Sequence, residues 1–250
     1  MSSDDTQAML ETWHARDVLY RQLFGPYLFN LPKAYQPPPV KMQSAATSAD
    51  IAALLGTTIS ETDITIMVHE PNELRGYWTY VTAGLSNPWF GRGDGDVSGF
   101  GYELVLKTSK PGRWQIRLLR RLISYVVTYS GTLQPGVMLQ FDLPLFYSSK
   151  SKMDGILMWY ADEAPECLYE LPTGRFGIFL VLGIMDDEAD FVRSFSDGTW
   201  CMQQLLRQGG HNQITEPWRE SIMSRCDAKE MIYSLRSYAS LFTPTDQSQP

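Results

Sequence analysis

The hydrophobic positions of this chain change period several times, and each change predicts an element. Between Asp5 and Phe24, the apolar residues Met9, Trp13, Leu19 with Val18, and Leu23 recur at near-helical spacing, which predicts an amphipathic helix that Gly25 and Pro26 stop. Leu31 to Val40 holds Pro32, Pro37, Pro38 and Pro39 and reads as a stiff extended segment, either a strap on the core or a peptide ligand. Asp50 to Leu55 reads as one or two helical turns capped by Ser48 or Asp50. From Asp63 the period becomes two, with Ile64, Ile66 and Val68 alternating with Thr65, Met67 and His69 before a turn at Pro71-Asn72. Tyr77 to Leu85 predicts a second, antiparallel strand broken by Ser86-Asn87-Pro88. A glycine-rich loop over Gly91 to Gly101 follows, and Tyr102 to Thr108 resumes strand alternation up to Pro111-Gly112.

The helical period returns between Trp114 and Tyr129. There Ile116, Leu119, Leu122, Ile123, Val126 and Val127 share one side, with Arg117, Arg120, Arg121 and Ser124 mostly opposite. Strands are predicted at Gly136 to Phe141, Gly155 to Tyr160 and Phe176 to Met185, with a short one at Cys167 to Leu171. Asp186, Asp187 and Glu188 open a helix reaching Phe195, where the dipole favours carboxylates; a second helix covers Thr199 to Gln208 and a last one Asp227 to Leu241. Strands and helices that do not alternate strictly predict an α+β fold, a mostly antiparallel or mixed sheet covered by helices. The expected organisation is an N-terminal helix and Pro-rich strap over 1–60 packed on the core, a central domain over 61–225, and a C-terminal helix with a polar tail over 226–250, all as one globular unit.

Composition narrows the function. The 250 residues are 44% hydrophobic and 20% charged, an ordinary globular profile. With 21 Lys and Arg against 28 Asp and Glu the formal net charge is −7, which disfavours nucleic acid as a partner. No apolar run approaches the roughly 20 residues that span a bilayer, so no membrane association is expected. Three widely spaced cysteines, Cys167, Cys201 and Cys226, suit reduced thiols and a cytoplasmic location, and buried structural roles.

No catalytic constellation emerges. His14, His69 and His211 show no metal-ligand spacing and read as surface or locally bonded. Asp94-Gly95-Asp96-Val97-Ser98-Gly99 imitates the start of a calcium-binding loop, but its twelfth position is Val105 and Glu103 falls two places early. Asp94, Asp96 and Glu103 with a metal form the hydrolase alternative. Asp162, Glu163 and Glu166 read as a solvated turn. Arg113, Arg117, Arg120 and Arg121 form the single basic cluster, either a solvated face or a site for phosphate or an acidic partner. Trp89 and Phe90 either anchor an interface or plug the edge of the core. The residues call for neither cofactor nor metal.

Five ordered landmarks carry a resemblance. The strand Tyr77 to Ser86, containing Gly84-Leu85, and the stretch Ser98-Gly99-Phe100-Gly101-Tyr102-Glu103-Leu104 resemble the signature of the suppressor of fused (SUFU-like) domain family. So do Trp114 before a helix with Leu122 to Val127, Leu143-Pro144-Leu145, and Leu171 to Gly177 followed by the acidic helix start at Asp186 to Glu188. The similarity covers about residues 76–208. It implies an α+β fold and a role in protein binding: animal members hold a transcription-factor peptide in a groove, and bacterial members include immunity proteins of toxin systems. It also implies a short single-domain member of bacterial type. Tyr125 matches a groove tyrosine, whereas Val137 after Gly136 stands where the animal proteins carry an acidic residue, so their particular peptide is not the expected ligand. The reading that follows is a non-enzymatic protein that neutralises a partner by occlusion, such as a basic toxin, with a peptide-binding regulator or scaffold as the alternative. Trp89, Phe90, Asp94, Asp96, Tyr125 and Tyr147 are the expected partner contacts. Gly84, Leu85, Ser98, Gly99, Phe100, Gly101 and Glu103 are expected to be structural.

Overall fold

A computed structural model describes residues 3–28, 64–87, 96–129, 132–142, 144–146, 151–195 and 197–240. The Pro-rich segment, the short helix predicted at 50–55 and the polar tail lie outside them. Among the described residues, five α-helices and seven strands follow the predicted order. These are α1 (Ser3–Phe24), β1 (Thr65–His69), β2 (Trp78–Ala83), β3 (Val97–Thr108), α2 (Arg113–Tyr129), β4 (Met138–Gln140), β5 (Met153–Tyr160), β6 (Tyr169–Leu171), β7 (Gly174–Met185), α3 (Asp186–Arg193), α4 (Gly198–Gln208) and α5 (Ala228–Ser240). The strands form a mixed sheet in the order β1-β2-β3-β7-β5-β4, with β6 beside β7. The β1/β2 and β2/β3 pairs are antiparallel, while β3 runs parallel to β7. The fold is α+β.

The chain divides into two compact units, Met1–Val137 with Met158–Leu182, and Met138–Leu157 with Gly183–Pro250. In the first unit, strand alternation sends Glu103, Val105 and Lys107 to one face of β3 and Tyr102, Leu104 and Leu106 to the other. α2 covers the second face and runs back along it. The Gly112 amide, just before the helix, donates to Tyr80 Oη at 3.3 Å, and the Leu133 amide, just past its end, donates to Tyr102 Oη at 3.2 Å. Leu119, Leu122, Ile123 and Val126 of α2 are buried there, as the helical period predicts.

α1 departs from expectation. Its buried stripe is Thr12, Arg16, Tyr20 and Phe24, at intervals of four, whereas Trp13 is 44% exposed and Met9, Leu19 and Leu23 are only half-buried. The reason is that α1 faces a buried carboxylate, so the stripe needs a cation more than another apolar side chain. Gly25 ends the helix with φ +75° and its amide bonded to the Arg21 carbonyl at 3.0 Å. β3 also begins earlier than predicted, at Val97 instead of Tyr102. Between those residues the register slips, so that Val97 faces Arg175 and Tyr102 faces Gly177.

The second unit packs β4 against the first half of β5 and gathers α3, α4 and α5. Met153, Ile156, Ile184, Phe191, Met202, Leu205, Leu206 and Ile222 are buried in it. Glu188 stands in the first turn of α3, at the helix start where it is expected, and its burial is what the sequence does not announce. It is fully buried and accepts from the amides of Met185 at 3.0 Å and Ile222 at 2.9 Å, with both Arg219 Nη atoms paired to its two oxygens. Such a charge is tolerable inside only because it is paired and fully bonded.

His69, on β1 of the first unit, gives the fold an acid limit. Its Nδ1 bonds the Gly25 carbonyl at 2.8 Å, and burial depresses its pKa from 6.5 to about 4. The unfolded chain therefore binds a proton that the folded one refuses, and stability falls as pH drops from 6.5 towards 4. A shift of this size corresponds to about 3 kcal/mol. Urea unfolding of wild type and His69→Gln between about pH 7 and 4.5 is expected to show a shallower loss in the variant. Parallel curves would show that His69 does not set the limit.

Candidate functional site

The described residues stop at Asn87, in the turn after β2, and resume at Asp96, just before β3; the glycine-rich segment predicted between them lies outside, and its two stems are described. At their base lies Glu103, fully buried on β3. Its Oε1 accepts from the Gly84 amide at 2.8 Å, the Ser86 amide at 2.9 Å, Ser86 Oγ at 2.7 Å and Arg16 Nη1 at 3.3 Å, while Oε2 accepts from Thr82 Oγ1 at 2.6 Å. Four of these donors come from the end of β2 and the turn that begins the loop, and the fifth from α1. The same Arg16 Nη1 reaches Asn87 Oδ1 at 2.7 Å, which also accepts from Trp13 Nε1 at 3.0 Å. The outgoing stem is thus held by one carboxylate and one guanidinium.

The returning stem is tied to the outgoing one. Ser98 Oγ donates to the Ser86 carbonyl at 2.7 Å and lies 2.5 Å from Thr173 Oγ1, which in turn lies 3.0 Å from Thr12 Oγ1. The Phe100 amide donates to the Leu85 carbonyl at 2.8 Å, and the Arg175 amide to the Asp96 carbonyl at 2.9 Å. Gly99 makes this possible. It holds φ +60°, and a Cβ there would stand 2.3 Å from the Asn87 carbonyl oxygen and 2.4 Å from that of Leu85. No L side chain fits. Gly101, at φ +81°, closes the bulge two residues later.

The expected site residues distribute as follows. Gly84, Leu85, Ser98, Gly99, Gly101 and Glu103 all belong to the clamp; Phe100 supplies a backbone amide while its side chain is half-buried. Asp96 is exposed at the returning stem, and Tyr125 is half-buried on α2. Trp89, Phe90, Asp94 and Tyr147 lie outside the described residues. The metal alternative loses its third ligand, because Glu103 is taken up by protein donors beneath the loop. Two other expectations are corrected. Glu163 is not a solvated turn residue: it pairs with the buried Lys107 ammonium and accepts from Tyr77 Oη, and burial pushes its carboxyl pKa up against the pull of Arg75. Of the cysteines only Cys201 is buried, with Cys167 and Cys226 exposed.

Sequence reading misses Arg16, Thr12 and Asn87. Their signal is weak: Arg16 shares a four-residue spacing with Thr12, Tyr20 and Phe24, but an isolated arginine among 28 acids does not announce its partner.

The suppressor of fused protein (SUFU) family model matches residues 60–220, and the chain belongs to that family. Among solved structures it is similar to Drosophila Suppressor of Fused, with TM-score 0.57 and 20% identity over 71% of this chain; it spans 46% of that protein's length. It is also similar to a structure of the Sufu-Fu complex, with TM-score 0.64 and 19% identity over 90% of this chain and 97% of the other. No curated protein matches. Among the described residues no helix is long and apolar enough to cross a membrane.

Breaking the clamp should be costly in a graded way. Glu103→Gln leaves Arg16 buried without its counter-charge and is expected to lower unfolding stability by about 3–5 kcal/mol. Arg16→Met should be milder, since four uncharged donors still serve the carboxylate. Equal losses in denaturant melts would show that Arg16 and Glu103 act only as a pair.

Proposed function

We propose that this chain is a non-enzymatic binding module that neutralises a protein partner by occlusion, with the loop between Asn87 and Asp96 as its principal contact element. The observation that carries the reading is the clamp itself. A buried carboxylate, a buried guanidinium and a hydroxyl chain fix the two flanking stems, at Asn87 and Ser98, so these ends need no ordering when a partner is met. Trp89 and Phe90 supply aromatic anchors on that loop, Asp94 and Asp96 its charge, and Tyr125 and Tyr147 the rim of the groove that the family resemblance implies. The similarity to a Sufu partner complex supports protein binding over catalysis. So does the employment of Glu103, Glu188 and Glu163 in internal pairs, which leaves none of them free for acid-base work.

The finer reading is an immunity or inhibitor protein whose target is a basic toxin, acting in the cytoplasm. A net charge of −7 favours a basic partner and accelerates encounter at low salt. The tagged chain purified from its host at low salt is expected to retain one basic protein in stoichiometric amount, and Trp89→Ala with Phe90→Ala to lose it without lowering the melting temperature. A partner held equally well by the double variant would remove the loop from the interface.

A further inference from the structure

We propose that the face of the sheet beneath the end of α1 holds a buried binding site for a single water, which joins His69 on β1 to Thr79 on β2 and to the Arg75 guanidinium. His69, Thr79 and Lys107 are cross-strand register partners on β1, β2 and β3, so their side chains stand in one row on the face that also carries Glu103. α1 ends over this row: the Phe24 ring lies 5.5 Å from the His69 imidazole, and the Tyr27 ring 5.9 Å from it. His69 and Thr79 are fully buried, and Arg75 is 6% exposed.

The hydrogen bonds of this row do not close within the chain. Among the described residues, His69 Nε2, Thr79 Oγ1 and Arg75 Nε have no hydrogen-bond partner, although each is screened from solvent. Arg75 is anchored beside His69, its Nη2 donating to the carbonyl of the next residue, Glu70, at 3.1 Å. Lys107, at the other end of the row, is paired with Glu163, which also accepts from Tyr77 Oη. Buried polar groups are rarely left unbonded, and three of them at neighbouring positions call for a common partner.

The pattern of donors and acceptors identifies that partner. The Gly25 carbonyl can only accept, so the imidazole donates to it through Nδ1–H at 2.8 Å. Burial keeps the ring neutral near pH 7, with a pKa of about 4, and the charge of Arg75 acts in the same direction. Nε2 therefore carries a lone pair and requires a donor, Arg75 Nε–H requires an acceptor, and the Thr79 hydroxyl serves as either. A metal ion would meet the guanidinium of Arg75 and the ammonium of Lys107, and an anion would meet the Nε2 lone pair. A water satisfies all three groups, donating to Nε2, accepting from Nε and bonding the hydroxyl, and about three such bonds are typical of a buried water. Register partners on adjacent strands hold their Cβ atoms about 4.5–5.5 Å apart, a span that one water bridges. The site is independent of the partner-binding reading.

The test is a high-resolution crystal structure of the whole chain, with nitrogen-15 NMR of His69 at neutral pH and melts of Thr79→Val. The expected structure shows one ordered water within hydrogen-bond distance of both His69 Nε2 and Thr79 Oγ1, and the NMR spectrum places the ring proton on Nδ1. Thr79→Val keeps the side chain's shape and removes its hydroxyl. A hydroxyl bonded to water is lost at a cost, so the variant is expected to melt about 2–4 °C below wild type. An unbonded buried hydroxyl gives the opposite sign, because its removal relieves the chain of an unsatisfied group. A variant melting at or above wild type would overturn the proposal. So would a proton on Nε2, an ion or no density at the site, or a Thr79 hydroxyl bonded to Nε2 directly. The wild-type crystal structure and spectrum decide the matter should the variant fail to fold.

Discussion

A carboxylate placed where no water reaches it must be bonded on all sides, and that requirement at Glu103 organises the first unit. The turn after β2 bends so that two of its amides and two hydroxyls point inward at the same side chain. α1 must then bring a cation to the same point, which selects Arg16 and sets the helix's rotation, so that Thr12, Tyr20 and Phe24 face inward with it. The bulge at Gly99 and Gly101 follows as well, because the returning strand has to pass within contact distance of the turn's carbonyls. One satisfied charge thereby fixes a helix, a turn and a bulge that local propensity alone would leave loosely defined.

The second unit repeats the device with different parts. Glu188 is bonded by the helix-start amide of Met185, by a remote amide at Ile222 and by the paired nitrogens of Arg219, so it ties the beginning of α3 to the segment preceding α5. In both units the acidic member lies beside a turn or helix start and its cation comes from distant sequence, Arg16 for Glu103 and Arg219 for Glu188. Buried ion pairs of this type contribute little net stability over an apolar substitute, yet they penalise wrong pairings severely. Their effect here is to specify which segments meet.

The periodic parts of this architecture are legible in the sequence. α2 is one of them, because Leu119, Leu122, Ile123 and Val126 obey the helical repeat and are the residues buried. The long strand at Gly174–Met185 is legible as an unbroken apolar run bounded by turn residues. α1 is legible as a helix but its inward face is not, since Met9 and Trp13 outrank Arg16 on any hydrophobic scale and the deciding partner is 87 residues away. The start of β3 escapes because the glycines around it signal a loop, while the parallel pairing with β7 that makes it a strand is invisible locally. Glu163 reads as a solvated acid because an acidic residue in a turn usually is one, and the helix-start position of Glu188 carries no local sign of burial; only the tertiary fold reveals Lys107 and Arg219 beside them.

α1 lies outside residues 60–220, the stretch that the family model covers, yet it provides the cation on which that stretch's buried acid depends. The matched region therefore leaves out groups that its own residues are bonded to: without residues 3–24 the carboxylate of Glu103 would keep its neutral donors but lose its counter-charge, and Asn87 Oδ1 would lose both Trp13 and Arg16. α1 reaches both described stems, Asn87 through Trp13 and Arg16, and Ser98 by way of Thr12 and Thr173, so one helix holds together the two points at which the chain leaves the turn after β2 and enters β3.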